Sequence, residues 1–252
     1  MEIGNGTFLQ GDCLELMAGL PAGSADMVLC DLPYGTTACS WDSVIPFEPL
    51  WEQYTRITKD NGVIVLTSAQ PFTTALIGSN MRDFRYTWVW EKNRASGFAN
   101  AKKMPLRKTE DVCVFYKRLP TYNPQGLIYS PKTMRNSKSA GGDTVRGNVA
   151  ESSGRGSLRT AGKEYVQEYT NYPNNVLRFD NETGIHPTQK PVALFEYLIR
   201  TYTNPGETVL DNTAGSGTTA IAAENAGRRW ICMERDPTYY ESAVGRVWEH
   251  VS

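Results

Sequence analysis

One segment near the C-terminus, VLDNTAGSGTTAIAAENAGRRWICMER, limits the fold more than any other part of the chain. A short apolar strand, Thr208–Asp211, ends in an acid, and Gly215-Ser216-Gly217 opens a helix from about Gly217 to Ala226. Gly227 stops that helix, and a second apolar strand, Arg229–Glu234, follows at once. Strand, helix and strand at this spacing make a βαβ unit, which commits the domain to an α/β architecture with parallel pairing. The glycines let backbone approach a ligand where a side chain would collide. The helix N-terminus offers free N–H groups and a partial positive charge. Glu234, seventeen residues after Gly217, stands where a carboxylate accepts both ribose hydroxyls. The pattern reads as a nucleoside-cofactor site and leaves the nucleoside open. Gly215, Gly217 and Ala220 also satisfy G-x-G-x-x-A, the signature of a nicotinamide dinucleotide site.

The first 117 residues alternate strands and helices in the same manner. Ala25–Asp31 and Val63–Ser68 are short, β-branched-rich runs bounded by turn residues, as buried parallel strands are. Helical spacing over Glu48–Ile57 places Leu50, Trp51, Tyr54 and Ile57 on one side. Phe84–Trp90 and Asp111–Tyr116 are further strands. After His186, Pro191 suits a helix first turn, and Val192, Phe195, Leu198, Ile199 and Tyr202 form an apolar stripe. Between about Pro120 and Asp180 the text turns to Gly, Ser, Asn, Arg and Lys, too polar to bury much surface alone.

At the carboxyl end of the Ala25 strand stands Asp31-Leu32-Pro33-Tyr34-Gly35. A polar residue there, followed by proline and an aromatic, makes a stiff turn facing the crevice where open α/β sheets bind ligands. Such a turn suits the methylation of an exocyclic amine. The amine lone pair is delocalised into the ring, and two acceptors drawing on its hydrogens favour a pyramidal, nucleophilic nitrogen. The Asp31 carboxylate and the Leu32 or Pro33 carbonyl supply the acceptors, and Tyr34 an aromatic face.

DLPYG at Asp31–Gly35, HPTQKP at His186–Pro191 and DNTAGSGTT at Asp211–Thr219 occur in a telling order. In these three motifs the chain resembles the β-class DNA amino-methyltransferases, which carry D-P-P-Y, a target-recognition region, and then D-P-F-x-G-S-G-T. The resemblance covers essentially the whole chain outside about 120–180. It implies an α/β, Rossmann-like S-adenosylmethionine-dependent methyltransferase fold with permuted motif order and a mostly parallel sheet. Residues 1–117 would be its catalytic half, 118–180 an inserted, partly mobile target-recognition region, and 181–252 its cofactor half. The resemblance implies Asp31, Leu32, Pro33 and Tyr34 as the catalytic group. It implies an S-adenosylmethionine shell with Asp12 and Cys13 near the adenine, Glu234 on the ribose and Lys190 at the methionine carboxylate. Asp31, Thr188, Asp211, Thr213, Gly215, Ser216, Gly217 and Thr218 complete that shell. Family members with Asp at the first catalytic position usually methylate adenine N6, and those with Ser cytosine N4, so Asp31 favours adenine. Two departures stand out: Leu32 replaces the first proline, and Asn212-Thr213 replace Pro-Phe, removing an aromatic from the cofactor side.

The formal net charge of −1 conceals a division along the chain. Residues 92–163 hold 15 Lys and Arg against four acids (Glu110, Asp111, Asp143 and Glu151), a net +11, and the remainder is −12. A basic segment on an acidic body fits a phosphate backbone, so DNA is the expected partner. Lys92, Asn93, Arg94, Lys102, Lys103 and Arg107 are candidate DNA contacts beside the Trp88 and Trp90 strand. Arg135, Arg146, Arg155 and Arg159 are candidates for guanine edges or phosphates. Alternate tryptophans on a strand more often belong to the core. His186, beside a proline, receives no proton-transfer role, and Trp41-Asp42 would line the target pocket or simply pack.

No apolar run approaches the ~20 residues of a membrane span, and the N-terminus has no secretory pattern. Five cysteines (Cys13, Cys30, Cys39, Cys113 and Cys232) without CxxC spacing, and two histidines, argue against a metal cluster and for a reduced, cytoplasmic setting. The leading reading is transfer of methyl from S-adenosylmethionine to adenine N6 of a flipped base in DNA. Cytosine-N4 methylation, a nicotinamide oxidoreductase and an inactive DNA-binding module are the alternatives. The oxidoreductase explains neither DLPY nor the basic segment. A homodimer and a cognate restriction endonuclease are further partners left open; no membrane partner is expected.

Overall fold

The computed structural model describes residues 1–35, 43–135, 164–182 and 189–252. From the N-terminus, β1 (Glu2–Ile3) and β2 (Gly6–Gln10) lead to α1 (Cys13–Ala18), β3 (Ala25–Asp31), α2 (Phe47–Ile57), β4 (Thr58–Ser68) and α3 (Phe72–Ser79). Two long strands follow, β5 (Phe84–Ser96) and β6 (Arg107–Phe115), then β7 (Ile128–Arg135) and β8 (Glu164–Thr170). The chain continues through β9 (Val176–Arg178), α4 (Val192–Tyr202), β10 (Thr208–Asp211), α5 (Thr218–Ala226), β11 (Arg229–Glu234) and α6 (Pro237–Val251).

Nine strands form one sheet in the order β1-β2-β11-β10-β3-β4-β6-β5-β9. Its centre is parallel, and β1–β2, β4–β6 and β6–β5 are antiparallel. β10 pairs with β3, Val209 opposite Met27 and Leu210 opposite Val28. From that seam the connections run opposite ways, β3 to β4 on one side and β10 to β11 on the other. Such a switch point leaves a crevice outside the strands' carboxyl ends, where open α/β sheets take ligands. Asp31 and Asp211 end the two strands that flank it.

Strand parity divides the core between the two faces of this sheet. Met27, Leu29, Val63 and Val65 pack with residues of α4, α5 and α6. Val28, Cys30, Ile64 and Leu66 pack with residues of α1, α2 and α3 on the other face. Both faces of β3 and β4 are therefore buried, which is why those strands read as continuous apolar runs. Each large apolar side chain so buried contributes roughly 1.5–3 kcal/mol.

Strands β10 and β11 begin and end where the sequence places them. β5 and β6 run further than their apolar portions, because backbone pairing continues to Ser96 opposite Arg107 beyond the last tryptophan. The chain divides into two compact units, residues 1–123 with 174–252, and residues 124–173. The boundaries thus differ from the expected 118–180, because structure claims both flanks of the polar stretch. The Asn123 N–H donates to the Thr201 carbonyl and its side-chain amide to those of Arg200 and Thr203, near the end of α4. β9 adds a parallel edge strand to β5. In the second unit β7 and β8 form an antiparallel ribbon.

Candidate active site

The loop after β10 is shaped by two glycines with positive φ, Gly215 at 51° and Gly217 at 76°. A Cβ on Gly217 would also come within 3.1 Å of Val247 Cγ2, so α6 closes against the loop. Asp211 is buried and accepts from the Thr213 N–H (3.0 Å) and the Thr219 hydroxyl (2.5 Å). Burial pushes its carboxyl up to about 7, against the lowering effect of those two bonds. Glu234 accepts from the Gly215 N–H through one oxygen and the Asp236 N–H through the other, both at 2.9 Å. Each of its oxygens keeps a further lone pair. The Gly11 N–H donates to the Glu234 carbonyl, which ties the segment before α1 to the end of β11. Asp12 then caps α1, accepting from the Leu14 and Glu15 N–H groups. Ser216 and Thr218 are buried beside Arg246.

Across the seam, Asp31 is held by four groups. Its Oδ1 accepts from the Tyr34 hydroxyl (2.8 Å) and the Thr67 hydroxyl (2.5 Å). Its Oδ2 accepts from Lys190 Nζ at 2.7 Å. Its backbone carbonyl accepts from the Thr213 hydroxyl at 3.1 Å, a direct bond between the Asp31–Tyr34 turn and the glycine loop. The Tyr34 ring stacks on Phe72, with centroids 5.1 Å apart and planes inclined by 24°. Burial, then the nearby Asp31 and Glu110 charges, push the Tyr34 phenol well up, so it stays a neutral donor.

Asn212, which stands where the resemblance expects proline, is buried, and its Oδ1 accepts from the Tyr54 hydroxyl (2.6 Å) and the Cys30 thiol (2.9 Å). The two residues of the second departure thus become ties, Asn212 to α2 and β3 and Thr213 to the Asp31 backbone.

Lys190 has partners other than the one the resemblance implies. Its ammonium lies between Asp31 Oδ2 and Glu110 Oε2, at 2.7 and 3.4 Å. Burial alone would lower its pKa, but the two carboxylates outweigh that and hold it above the ordinary value. A second lysine completes the array, Lys92 Nζ at 2.9 Å from Glu110 Oε1. Asp31, Glu110, Lys92 and Lys190 all line one cavity of about 830 Å³, together with the turn, the glycine loop and Glu234. That volume suits a small-molecule cofactor site.

The expected DNA contacts fall into different surroundings. Lys92 corrects the sequence reading: it is 5% exposed, because on β5 it shares the face of Trp88 and Trp90. Both tryptophans are core, their indole N–H groups donating to the Tyr202 hydroxyl and the Phe179 carbonyl. Asn93 is exposed and accepts the Asn181 N–H. Arg94, Lys102, Lys103 and Arg107 are exposed on or beside the β5–β6 connection, where Phe98 is 83% exposed. Arg135 lies on β7, in the second unit. Thr188, His186, Trp41, Asp42, Arg146, Arg155 and Arg159 lie outside the described residues.

Sequence reasoning missed Thr67, Phe72 and Glu110. Glu110 left a faint signal as one of four acids in the basic segment. Thr67 and Phe72 left none, being ordinary core residue types. Among the described residues, no group of His, Cys, Asp and Glu could hold a metal ion, and no helix is long and apolar enough to cross a membrane.

Comparison with known proteins adds to this geometry. Residues 25–245 match the N6/N4 methyltransferase family model, described as DNA methylase. The chain is 27% identical over 264 residues to the DNA adenine methyltransferase YhdJ of Escherichia coli (strain K12), covering 96% of this chain and 82% of that protein. Among solved structures, the M1.HpyAVI–SAM complex superposes with a TM-score of 0.65 at 21% identity, over 96% of this chain and 99% of the other. The cytosine-N4-specific PvuII DNA methyltransferase gives 0.67 at 19% identity, over 97% and 86%. The expected methyltransferase fold is the observed one.

Proposed function

We propose, from the premise that this chain belongs to the DNA methylase family, that it transfers a methyl group from S-adenosylmethionine to adenine N6 in DNA. The observation that carries this reading is the bond from the Thr213 hydroxyl to the Asp31 carbonyl, which seats the amine-binding turn and the cofactor loop in one cavity. The cofactor side fits the molecule. Glu234 keeps a lone pair on each oxygen for two ribose hydroxyls, and the positive-φ Gly215 and Gly217 bring bare backbone to the start of α5. S-adenosylmethionine, when bound, supplies an electrophilic methyl carbon on a sulfonium.

The rest falls to the chain itself. A base in a duplex cannot reach this cavity while stacked, so it is flipped, at a cost of a few kcal/mol. Asp31 and the Leu32 or Pro33 carbonyl accept the two amine hydrogens and stabilise the positive charge that grows on nitrogen. Phe72 stacks on the Tyr34 ring and the Lys190 ammonium stands over it, 5.5 Å from the centroid, so the base meets a ring already held in place. Exposed Arg94, Lys102, Lys103 and Arg107 supply cations for phosphates, and Phe98 an aromatic face for an unstacked base.

Adenine is favoured by Asp31 at the first catalytic position and by the adenine specificity in the name of the YhdJ relative. Cytosine N4 is the second reading, since the PvuII enzyme of the same fold is cytosine-N4-specific. Incubation with S-adenosylmethionine and genomic DNA, followed by digestion and nucleoside mass analysis, should yield N6-methyladenine. N4-methylcytosine would move the assignment to the second reading, and no methylated nucleoside would reject both. Asp31→Ala should lower the transfer rate about 100- to 1,000-fold.

A further inference from the structure

Asp31 carries more donors than an amine acceptor can keep. Its Oδ1 already accepts two hydroxyls, from Tyr34 and Thr67, so an incoming amine must use Oδ2. There it meets the Lys190 ammonium at 2.7 Å. An ammonium in that position competes for the oxygen. It also opposes the positive charge that develops on the amine nitrogen, in a buried site where charges are poorly screened. Removing the lysine from Oδ2 requires somewhere to put it.

Glu110 offers that place. Its Oε1 accepts from Lys92 at 2.9 Å, and its Oε2 is buried without a hydrogen-bond donor. That oxygen lies 3.4 Å from Lys190 Nζ, already within ion-pair distance of the ammonium it would receive. Lys92, itself buried, occupies the other Glu110 oxygen and so leaves Oε2 for Lys190. We propose that Glu110 is a positioning residue for methyl transfer: its Oε2 takes the Lys190 ammonium from Asp31 Oδ2 when the target amine arrives. No proton moves in this exchange. The amine N–H replaces the ammonium N–H on Oδ2, and all four charged groups keep their charges. The inference rests on reading Asp31 as the amine acceptor. The plain alternative is that Glu110 only neutralises a buried Lys92.

A double-mutant cycle separates the two. Single-turnover methyl transfer at saturating S-adenosylmethionine is measured for wild type, Glu110→Gln, Lys190→Gln and the double variant. Calorimetric binding of S-adenosylhomocysteine and thermal melting accompany each. Glutamine keeps an acceptor for Lys92 but loses the charge that draws Lys190. The expected result is a rate at least tenfold lower in Glu110→Gln, with S-adenosylhomocysteine affinity within threefold of wild type. In the Lys190→Gln background the same change should cost less than twofold, since no ammonium remains to be moved. A wild-type rate in Glu110→Gln, or an equal loss with and without Lys190, overturns the proposal. If Glu110→Gln does not fold, Lys92→Met/Glu110→Met replaces the buried pair with apolar side chains and should show the same Lys190-dependent loss. A wild-type protein that methylates no DNA would instead reject the reading of the reaction itself.

Discussion

Lys92 and Lys102 stand ten residues apart in one basic segment, and the fold gives them opposite surroundings. Lys92 is sealed in the cavity wall against Glu110, whereas Lys102 and its neighbour Lys103 stand in solvent on the β5–β6 connection. Strand parity makes the difference. On β5 the face of Trp88 and Trp90 continues through position 92, so a charge there must enter the interior and find a partner. Past Ser96 the pairing with β6 ends, and side chains are released to solvent. A basic composition therefore meets two ends here, one lysine organising a buried array and the others standing exposed to solvent.

The contrast can be broken by mutation. Lys92→Met should cost about 3 kcal/mol in urea unfolding, because Glu110 loses its close counter-ion in a buried setting. A loss below about 0.5 kcal/mol, as at an ordinary surface site, would place Lys92 with the exposed lysines. The double change Lys102→Ala/Lys103→Ala should leave the unfolding midpoint in place. It should instead weaken DNA binding and make the plot of log affinity against log salt shallower by roughly 2. An unchanged salt slope would remove this loop from the DNA interface.

The smallest effect concerns a sealed carboxyl without a cation beside it among the described residues. Asp211, raised to about 7 from 3.8, keeps a proton in the folded chain at pH values where the unfolded chain has released it. Its contribution is thus fully present below the ordinary carboxylate value and is lost as pH rises through about 7. Urea unfolding at pH 5 and pH 8 should show wild type weaker at pH 8 by roughly 2–3 kcal/mol from this group, a difference that Asp211→Asn reduces. An identical pH dependence in both proteins would mean that Asp211 is ionised throughout.

Much of the site was legible from residue types alone. Thr208–Asp211 and Arg229–Glu234 stood out because strands buried on both faces are short apolar runs between turn residues. Gly217 was legible because a positive φ beside the packed α6 admits little else. Lys92 was misplaced because parity depends on how far the strand continues, and polar residues in register look like the start of a loop. Asn212 and Thr213, departures by motif, make sense only beside Tyr54, Cys30 and Asp31, far away in the chain.

The local pieces of the candidate site, an acid-led turn and a glycine loop followed by a strand ending in Glu234, were written locally, since each depends on a few adjacent residues and their backbone angles. Tertiary structure decided that the turn and the loop share a crevice, through the pairing of β3 with β10 nearly two hundred residues away. It also set Lys190 between Asp31 and Glu110. Such neighbours follow from sheet order and strand parity, which arise when distant backbones pair and bury both faces together, and no local spacing encodes them.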